Sequence, residues 1–584
     1  MPRLPLRPLL AVLMLLGSQD TGRAAGILDQ LPADATGFVA VHRLSAASAK
    51  VERVLAIFQD LTPGPLPAPL ALAMGATGMG PGLNQDGNAL LALLPSDDAP
   101  FPPQPLLLIP VSNYAEFAGS IGGDAAGEIC RVTIAGEEVL LAKRGDFAAL
   151  MNIEHRAQFE KVLAAAPAAP ADLAPLADWL ATTDIAAGLT RAGVERLTAL
   201  GRRQAADWRQ RAEANADDPF ATPELQQIRE SMQTYELIFE FLGAEMKAGA
   251  VGLSIDESTN VKLAKRIILS EAGAFSTLAN ASPIAASPLS RFAAGQYVVA
   301  GGGPIPPGFG AAFASLVRRF AEQLPAGQGY EGFAAEDWEK LEESYRSSLD
   351  GVTAMAFVLY AGAKDEGLFS NYYMVCDVAD SNAYLAGFRR SLELDNELMA
   401  KAENDLAFPF ELSEATIGGK GAVVGVADVG GAVADPNVPA VESLMKALFG
   451  PDGKMHLYAV AADANTTVIG SATQEQLAEA VEFALNGQSS RAVESSVGAT
   501  TKLLDPAAPW QALINPAGAI AWAMRGAQTW AATFGDDASV PPFPATSPVG
   551  ISLNLTNGLV QGELVIPVDL LQGIADYALK LQSK

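Results

Sequence analysis

The sequence predicts an α+β protein: two related halves, each a mixed, largely antiparallel sheet with helices packed on one face. Three observations carry this. Short apolar runs of strand length alternate along the chain with longer runs repeating every three to four residues. Turn residues join many of the strands directly, as in antiparallel hairpins. One pattern also occurs twice, as Val251-Gly252-Leu253-Ser254-Ile255-Asp256-Glu257-Ser258-Thr259-Asn260-Val261 and Val549-Gly550-Ile551-Ser552-Leu553-Asn554-Leu555-Thr556-Asn557-Gly558-Leu559. In each copy apolar residues alternate with small or polar ones, as in a half-buried strand. A polar turn and a second apolar strand follow, at 261–269 or 559–566. Each copy therefore reads as a hairpin closing one half of a duplicated chain, an internal repeat. Alternation turns Leu253 and Ile551 toward a core and Ser254 and Ser552 to the other side.

At 584 residues the chain is too long for one core. Its opening has the parts of a secretory leader. Arg3 and Arg7 supply positive charge, residues 9–16 an apolar stretch, and Gly22-Arg23-Ala24 a small-x-small cleavage site. The expected division is a signal peptide at 1–24, an N-terminal half at 25–287 and a C-terminal half at 288–584, the mature chain being periplasmic or secreted. No apolar run reaches the ~20 residues of a membrane span. The net charge of −27 argues against nucleic acid or an anionic membrane surface as partner. An oxidising compartment permits a Cys130–Cys376 bridge, but both cysteines sit in strand-like runs, where buried thiols are expected.

In chain order, 37–42 reads as a strand and 45–61 as a helix. Residues 62–70 and 100–105 are Pro-rich connections, and Asp86-Gly87 between apolar runs signals a hairpin turn. A strand at 106–111 enters a helix through Ser112-Asn113, and a strand at 372–378 enters one through Asp380-Ser381-Asn382, residues that cap helix N-termini. Strands at 129–135 and 137–143, a helix near 154–164 and a strand at 184–190 follow. Two long helices come next, one ending near Arg211 and one opened by Thr222-Pro223 with Leu225, Ile228, Met232, Tyr235, Ile238 and Leu242 on one face. They should pair as a helical hairpin.

Residues 280–290 mark the boundary between halves. Beyond it come a strand at 296–300, helices marked by Phe309, Phe313, Leu316 and Phe320 and by Trp338, Leu341 and Tyr345, and strands at 352–361 and 369–378. A helix at 381–394, strands near 411–417 and 421–428, a helix at 438–449, a hairpin over 455–470 and helices at 473–485, 516–532 and 570–581 complete the reading.

Leu31-Pro32-Ala33-Asp34 behind the leader, followed by a strand and a helix, resembles the opening of a group of exported bacterial proteins with a domain of unknown function. The resemblance covers that opening and implies export and an α+β architecture, with no catalytic residue to carry over.

Candidate chemistry is sparse. The three histidines, His42, His155 and His456, have no second His or Cys at metal-ligand spacing, and no G-x-S-x-G elbow presents a serine to one of them. Gly301-Gly302-Gly303-Pro304-Ile305-Pro306-Pro307-Gly308-Phe309-Gly310 lies between a strand and a helix. However, Pro304, Pro306 and Pro307 lack N–H donors and no Gly-Lys-Ser/Thr follows, so it reads as a structural turn rather than a phosphate loop. Gly75 to Gly82 fails the same test. Asn84-Gln85-Asp86-Gly87-Asn88 suggests a calcium loop, yet Gly82 and Leu93 occupy the positions that need Asp and Glu. Trp510, Trp522 and Trp530 form either an aromatic patch or, as expected here, core packing. No catalytic, cofactor or metal residue is singled out, and no cofactor is implied. The expected function is a non-catalytic binding or structural role in the cell envelope, toward an unidentified protein. The alternatives are a carrier of an apolar ligand and a carboxylate-based hydrolase.

Overall fold

The computed structural model describes residues 25–96, 103–214, 223–278, 288–321, 333–362, 366–401, 408–429, 439–486, 495–534 and 541–582. The leader at 1–24 and most of the expected boundary at 280–290 lie outside the described residues. The fold is mixed α+β, with all strand pairing antiparallel. It forms two compact units, the first Met1–Ala205, Ile238–Ser276 and Gly558–Lys584, the second Ala206–Leu237 and Thr277–Asn557. These segments cross the expected 25–287 and 288–584 division at two places.

The strands of the first part of the chain are β1 (Gly37–Val41), β2 (Ala89–Leu94), β3 (Gln104–Pro110), β4 (Ile129–Ile134), β5 (Glu137–Arg144), β6 (Phe147–Asn152), β7 (Ile185–Leu189), β8 (Met246–Ile255) and β9 (Val261–Leu269). Then come β10 (Tyr297–Pro304), β11 (Val352–Tyr360), β12 (Tyr372–Val378), β13 (Phe410–Ile417), β14 (Lys420–Ala427), β15 (Met455–Ala461), β16 (Thr466–Ser471), β17 (Trp510–Ile514), β18 (Val549–Thr556) and β19 (Leu559–Ile566). The first unit orders its strands β4-β5-β6-β3-β2-β1-β7-β8-β9-β19. The second runs β13-β14-β15-β16-β12-β11-β10-β17-β18. Counted outward from β1 and from β10, the two orders correspond, with β13 as an added edge strand. The recurrent segments stand in corresponding places, β8 beside β7 and β18 beside β17.

Helices line both faces of these sheets rather than one. In β2, Leu90, Ala92 and Leu94 pack with Leu173, Leu176 and Leu180 on one face, while Ala89 and Leu91 pack with Leu44 and Phe117 on the other. In the second unit Val375 and Val468 meet Leu477 and Val481 on one face, and Cys376 and Ile469 meet Phe388 and Leu392 on the other. A strand buried on both faces is a continuous apolar run, and Ala89–Leu94 reads ALLALL.

Several local expectations change. Asp86-Gly87 turns no hairpin: the run before it is the helix Pro69–Thr77, and only β2 follows. Strands β6 and β17 and the helices Pro69–Thr77, Ala177–Ala181 and Ser495–Thr501 were not anticipated. The long helices Arg191–Ala214 and Pro223–Glu245 are present, joined by an Arg209–Glu236 pair at 2.7 Å; Thr222 lies outside the described residues. The faces of the second recurrent strand are reversed from expectation, whereas in the first Leu253 packs against a core as expected. Gly252 packs under Thr183 and Trp179, and Gly550 under Thr500 and Leu504. Ser552 on that same face is 2% exposed, while Val251 and Leu553 on the opposite face are 53% and 46% exposed.

The closest backbone approach recurs in both units. After β7, Thr190 Oγ1 accepts the Gly193 N–H as a helix cap, and after β17 Asn515 Oδ1 accepts that of Gly518. In both places the third helical residue lies against the central strand's entrance. A Cβ on Gly193 would strike the Thr36 carbonyl oxygen, and one on Gly518 that of Tyr297. Gly119, inside the helix Tyr114–Ser120, has nothing near its Cβ direction. Gly193→Ala and Gly518→Ala should therefore each destabilise the protein by about 2–3 kcal/mol in urea denaturation, by forced backbone movement. Gly119→Ala should leave it unchanged or raise it by about 0.5–1 kcal/mol.

Candidate functional site

The residues singled out by the sequence are occupied with structural bonds. His42 is buried, its Nδ1 bonded to the Thr183 carbonyl oxygen, and burial lowers its pKa. Beside it Lys50 Nζ meets both oxygens of Asp184 at 3.2 Å, and Asp184 also accepts the Ile255 N–H at 2.7 Å. This cluster ties the helix Leu44–Ile57 to β8. His155 closes a short helical turn, Ile153–His155. His456 bonds Asp452 at 2.6 Å through Nε2 and approaches the Tyr458 hydroxyl at 3.4 Å through Nδ1.

Other buried carboxylates are likewise engaged. Glu245 accepts the backbone N–H groups of Ala274 and Phe275. Asp337 accepts that of Ala334 and pairs with Lys401. Asp395 accepts the Ser344 hydroxyl at 2.7 Å, and burial raises its pKa. Burial would also raise Glu563, but hydrogen bonds and charge from Lys262 and Arg266, at 3.0 and 2.9 Å, outweigh it and hold the carboxyl below its usual range. Among the described residues no three His, Cys, Asp or Glu side chains are grouped to hold a metal.

The Gly-rich run begins as strand and turns only at Pro306 to Gly308, where the Phe309 N–H bonds the Pro306 carbonyl ahead of the helix Phe309–Ala321. Gly301 to Pro304 belong to β10, which is paired on both sides. A Cβ on Gly303 would lie 2.5 Å from the Trp510 ring, whose Nε1 donates to the Pro304 carbonyl at 2.6 Å. Within Gly75 to Gly82, Gly75 belongs to the helix Pro69–Thr77. The Asn84–Asn88 oxygens serve the entry of the helix Leu44–Ile57: Asn88 Oδ1 accepts the Arg43 N–H and Asp86 accepts the Ser45 hydroxyl, both at 2.9 Å. Trp522 donates to the Leu368 carbonyl and meets Phe369 edge-on, a different setting from that of Trp510. The Trp530 side chain lies outside the described residues. Both cysteines are free thiols, Cys376 buried as expected and Cys130 partly exposed.

What remains is a groove in the second unit that sequence reasoning did not find. Asp380 caps the helix Ser381–Met399 by accepting the Asn382 and Ala383 N–H groups at 2.8 and 3.0 Å. Tyr384, Phe388 and Leu392 of this helix are buried over the sheet. The next stripe, Leu385, Ala386 and Arg389, faces Glu414 and Thr416 of β13 and Gly421 and Val423 of β14, enclosing about 660 Å³. Leu385, Ala386 and Val423 give apolar lining. Arg389 bridges Glu393 at 3.2 Å and Glu414 at 3.0 Å, with the Glu414 side chain 78% exposed. One hydroxyl, one guanidinium and one carboxylate form the polar lining, a set suited to recognition.

Nothing in the comparisons with known proteins matches: no family model, no curated protein and no solved structure is similar to this chain.

Burial also makes Cys376 a reporter of the core. Loss of solvation pushes its thiol up to about 12, against a bonded contact from Tyr384 that lowers it. The folded chain thus keeps a proton that the unfolded chain releases near pH 9. This group's contribution is complete below pH 9 and is lost as pH rises toward 12, at up to about 1.4 kcal/mol per unit. Cys376→Ala should cost about 1–2 kcal/mol at pH 8 through lost packing. In urea denaturation at pH 8, 9.5 and 11 the gap to wild type should narrow with pH; a constant gap would contradict the assignment.

Proposed function

We propose that this is an exported, non-catalytic binding protein of the cell envelope, periplasmic or secreted, that holds a partner at the groove beside β13. The groove itself carries the reading: an open recess with apolar lining, a charged rim and an edge strand alongside. The commitment of the buried histidine and carboxylates to structural bonds supports recognition over bond-making chemistry. Export is supported by the leader, with Arg3, Arg7 and the Gly22-Arg23-Ala24 site, and by the likeness of the opening to exported bacterial proteins. No described helix is long and apolar enough to cross a membrane. Duplication of an ancestral half is supported by the corresponding strand orders and by the two recurrent segments.

Two measurements test this. N-terminal sequencing of the protein from the envelope fraction should read Ala25-Gly26-Ile27, whereas an intact Met1 chain in the cytoplasm would refute export. A photo-crosslinking residue at Thr416 in intact cells should give a discrete adduct that the same probe at Glu52, exposed on the helix Leu44–Ile57, does not. Absence of a Thr416 adduct would refute the groove as a binding site.

A further inference from the structure

Strand β13 pairs with β14 from Phe410↔Ala427 to Ile417↔Lys420 without a register shift. Among the described residues it pairs with no other strand. At Phe410 the outward N–H and carbonyl are taken by Asn396, at 2.7 and 2.8 Å, and beyond it the outward main-chain groups of Leu412, Glu414 and Thr416 are a template for an added strand. Neither a bulge nor a proline blunts this edge. Its protection is charge. Glu411 and Glu414, three residues apart, project to opposite faces, and both are exposed.

These carboxylates select what the edge accepts. An added strand turns alternate side chains to both faces, so it meets an acidic residue on each. On the groove face Glu414 and Glu393 exceed the single charge of Arg389. A second copy would bring its own Glu411 and Glu414 against these, and like charges across strands are destabilising. The chain's net charge of −27 adds to that repulsion at longer range. An extended segment with Lys or Arg on both faces has the complementary charge, and the groove of about 660 Å³ gives one of its side chains a seat.

We propose that β13 is a docking edge for an extended basic peptide, added to the sheet as a further strand. This rests on the reading of the groove as the binding site. The test uses the full chain and a fluorescein-labelled nine-residue peptide alternating Val or Thr with Lys or Arg, carrying a basic residue toward each face. Its partner probe has every Lys and Arg replaced by Glu. By fluorescence anisotropy the basic peptide should bind and weaken at least tenfold between 50 and 300 mM salt. The Glu411→Lys, Glu414→Lys double variant should weaken it at least tenfold. Hydrogen exchange should show new protection confined to 410–417. Equal binding of the acidic peptide, or binding without that protection, would overturn the proposal. So would sedimentation showing self-association that the double variant abolishes. Thr416→Pro, at an exposed position whose N–H points away from β14, gives a second variant should the charge reversal perturb folding, and it should likewise weaken the peptide. A persisting Thr416 adduct in cells alongside failed peptide binding would overturn the basic-peptide assignment alone. Loss of both would overturn the groove reading as well.

Discussion

Both sheets depend on one constraint: their central strands are covered on two faces, so backbone must approach backbone closely. At Gly193 against Thr36, and again at Gly518 against Tyr297, no side chain fits between helix and strand. The two sites share more than glycine. Leu189-Thr190-Arg191-Ala192-Gly193 and Ile514-Asn515-Pro516-Ala517-Gly518 each place a capping residue, an alanine and a glycine at the same offsets after an apolar strand end. Cap and glycine act together, because the cap fixes where the helix starts and the glycine permits it to start there. The abundance of small residues, which composition alone leaves open to other readings, follows from this spacing.

The same constraint explains which parts of the fold were legible in the sequence. Strands joined by turns, such as β4 to β5 and β15 to β16, and helices behind polar caps, such as those after Asn113 and Asp380, announce themselves through local chemistry. Strands β6 and β17 did not. Phe147–Asn152 reads FAALMN and Trp510–Ile514 reads WQALI, short segments with no strong period, placed by neighbours distant in sequence. The recurrent strands show a subtler limit. Alternation at Val251 to Ile255 correctly separates two faces, but it cannot say which face a helix will cover. The face bearing Gly252 and Gly550 is covered because its residues are small enough to admit Thr183 and Thr500, leaving Val251 and Leu553 exposed opposite. In the second copy apolar character gave the wrong sign because packing there selects size first, while in the first Leu253 still packs against a core.

The groove was illegible for a related reason. Its lining joins a helix stripe to two strands, and no single stretch of sequence contains it. A partial signal existed in β13, where Glu411, Ser413, Glu414 and Thr416 put polar, exposed residues on both faces. The strands at the centre of these sheets, such as β2 and β3, are apolar on both faces, so two-sided polarity is a feature of strands toward a margin.

The contrast with β9 gives that edge its meaning. Strand β9 would also end a sheet, but β19, drawn from the far end of the sequence, covers it from Val261↔Ile566 to Ile268↔Leu559. Burying this junction requires more than backbone pairing. Arg266 lies over Trp179 and shares Glu563 with Lys262, so a charged cluster with both signs present is enclosed where the strands meet. A slip by one residue would turn Glu563 to the opposite face and leave Arg266 buried without a counter-charge, which fixes the register. Asn260, in the turn before β9, then accepts the Val568 N–H at 2.9 Å and anchors the start of the helix Val568–Gln582. One edge is thus closed by a dedicated strand, a buried ion cluster and a helix cap. At β13 nothing comparable covers the edge among the described residues, and carboxylates of one sign stand on both of its faces. Closure at β9 is specified by opposite charges within the chain; at β13 Arg389 answers Glu414 on one face, and among the described residues no such cluster closes the edge.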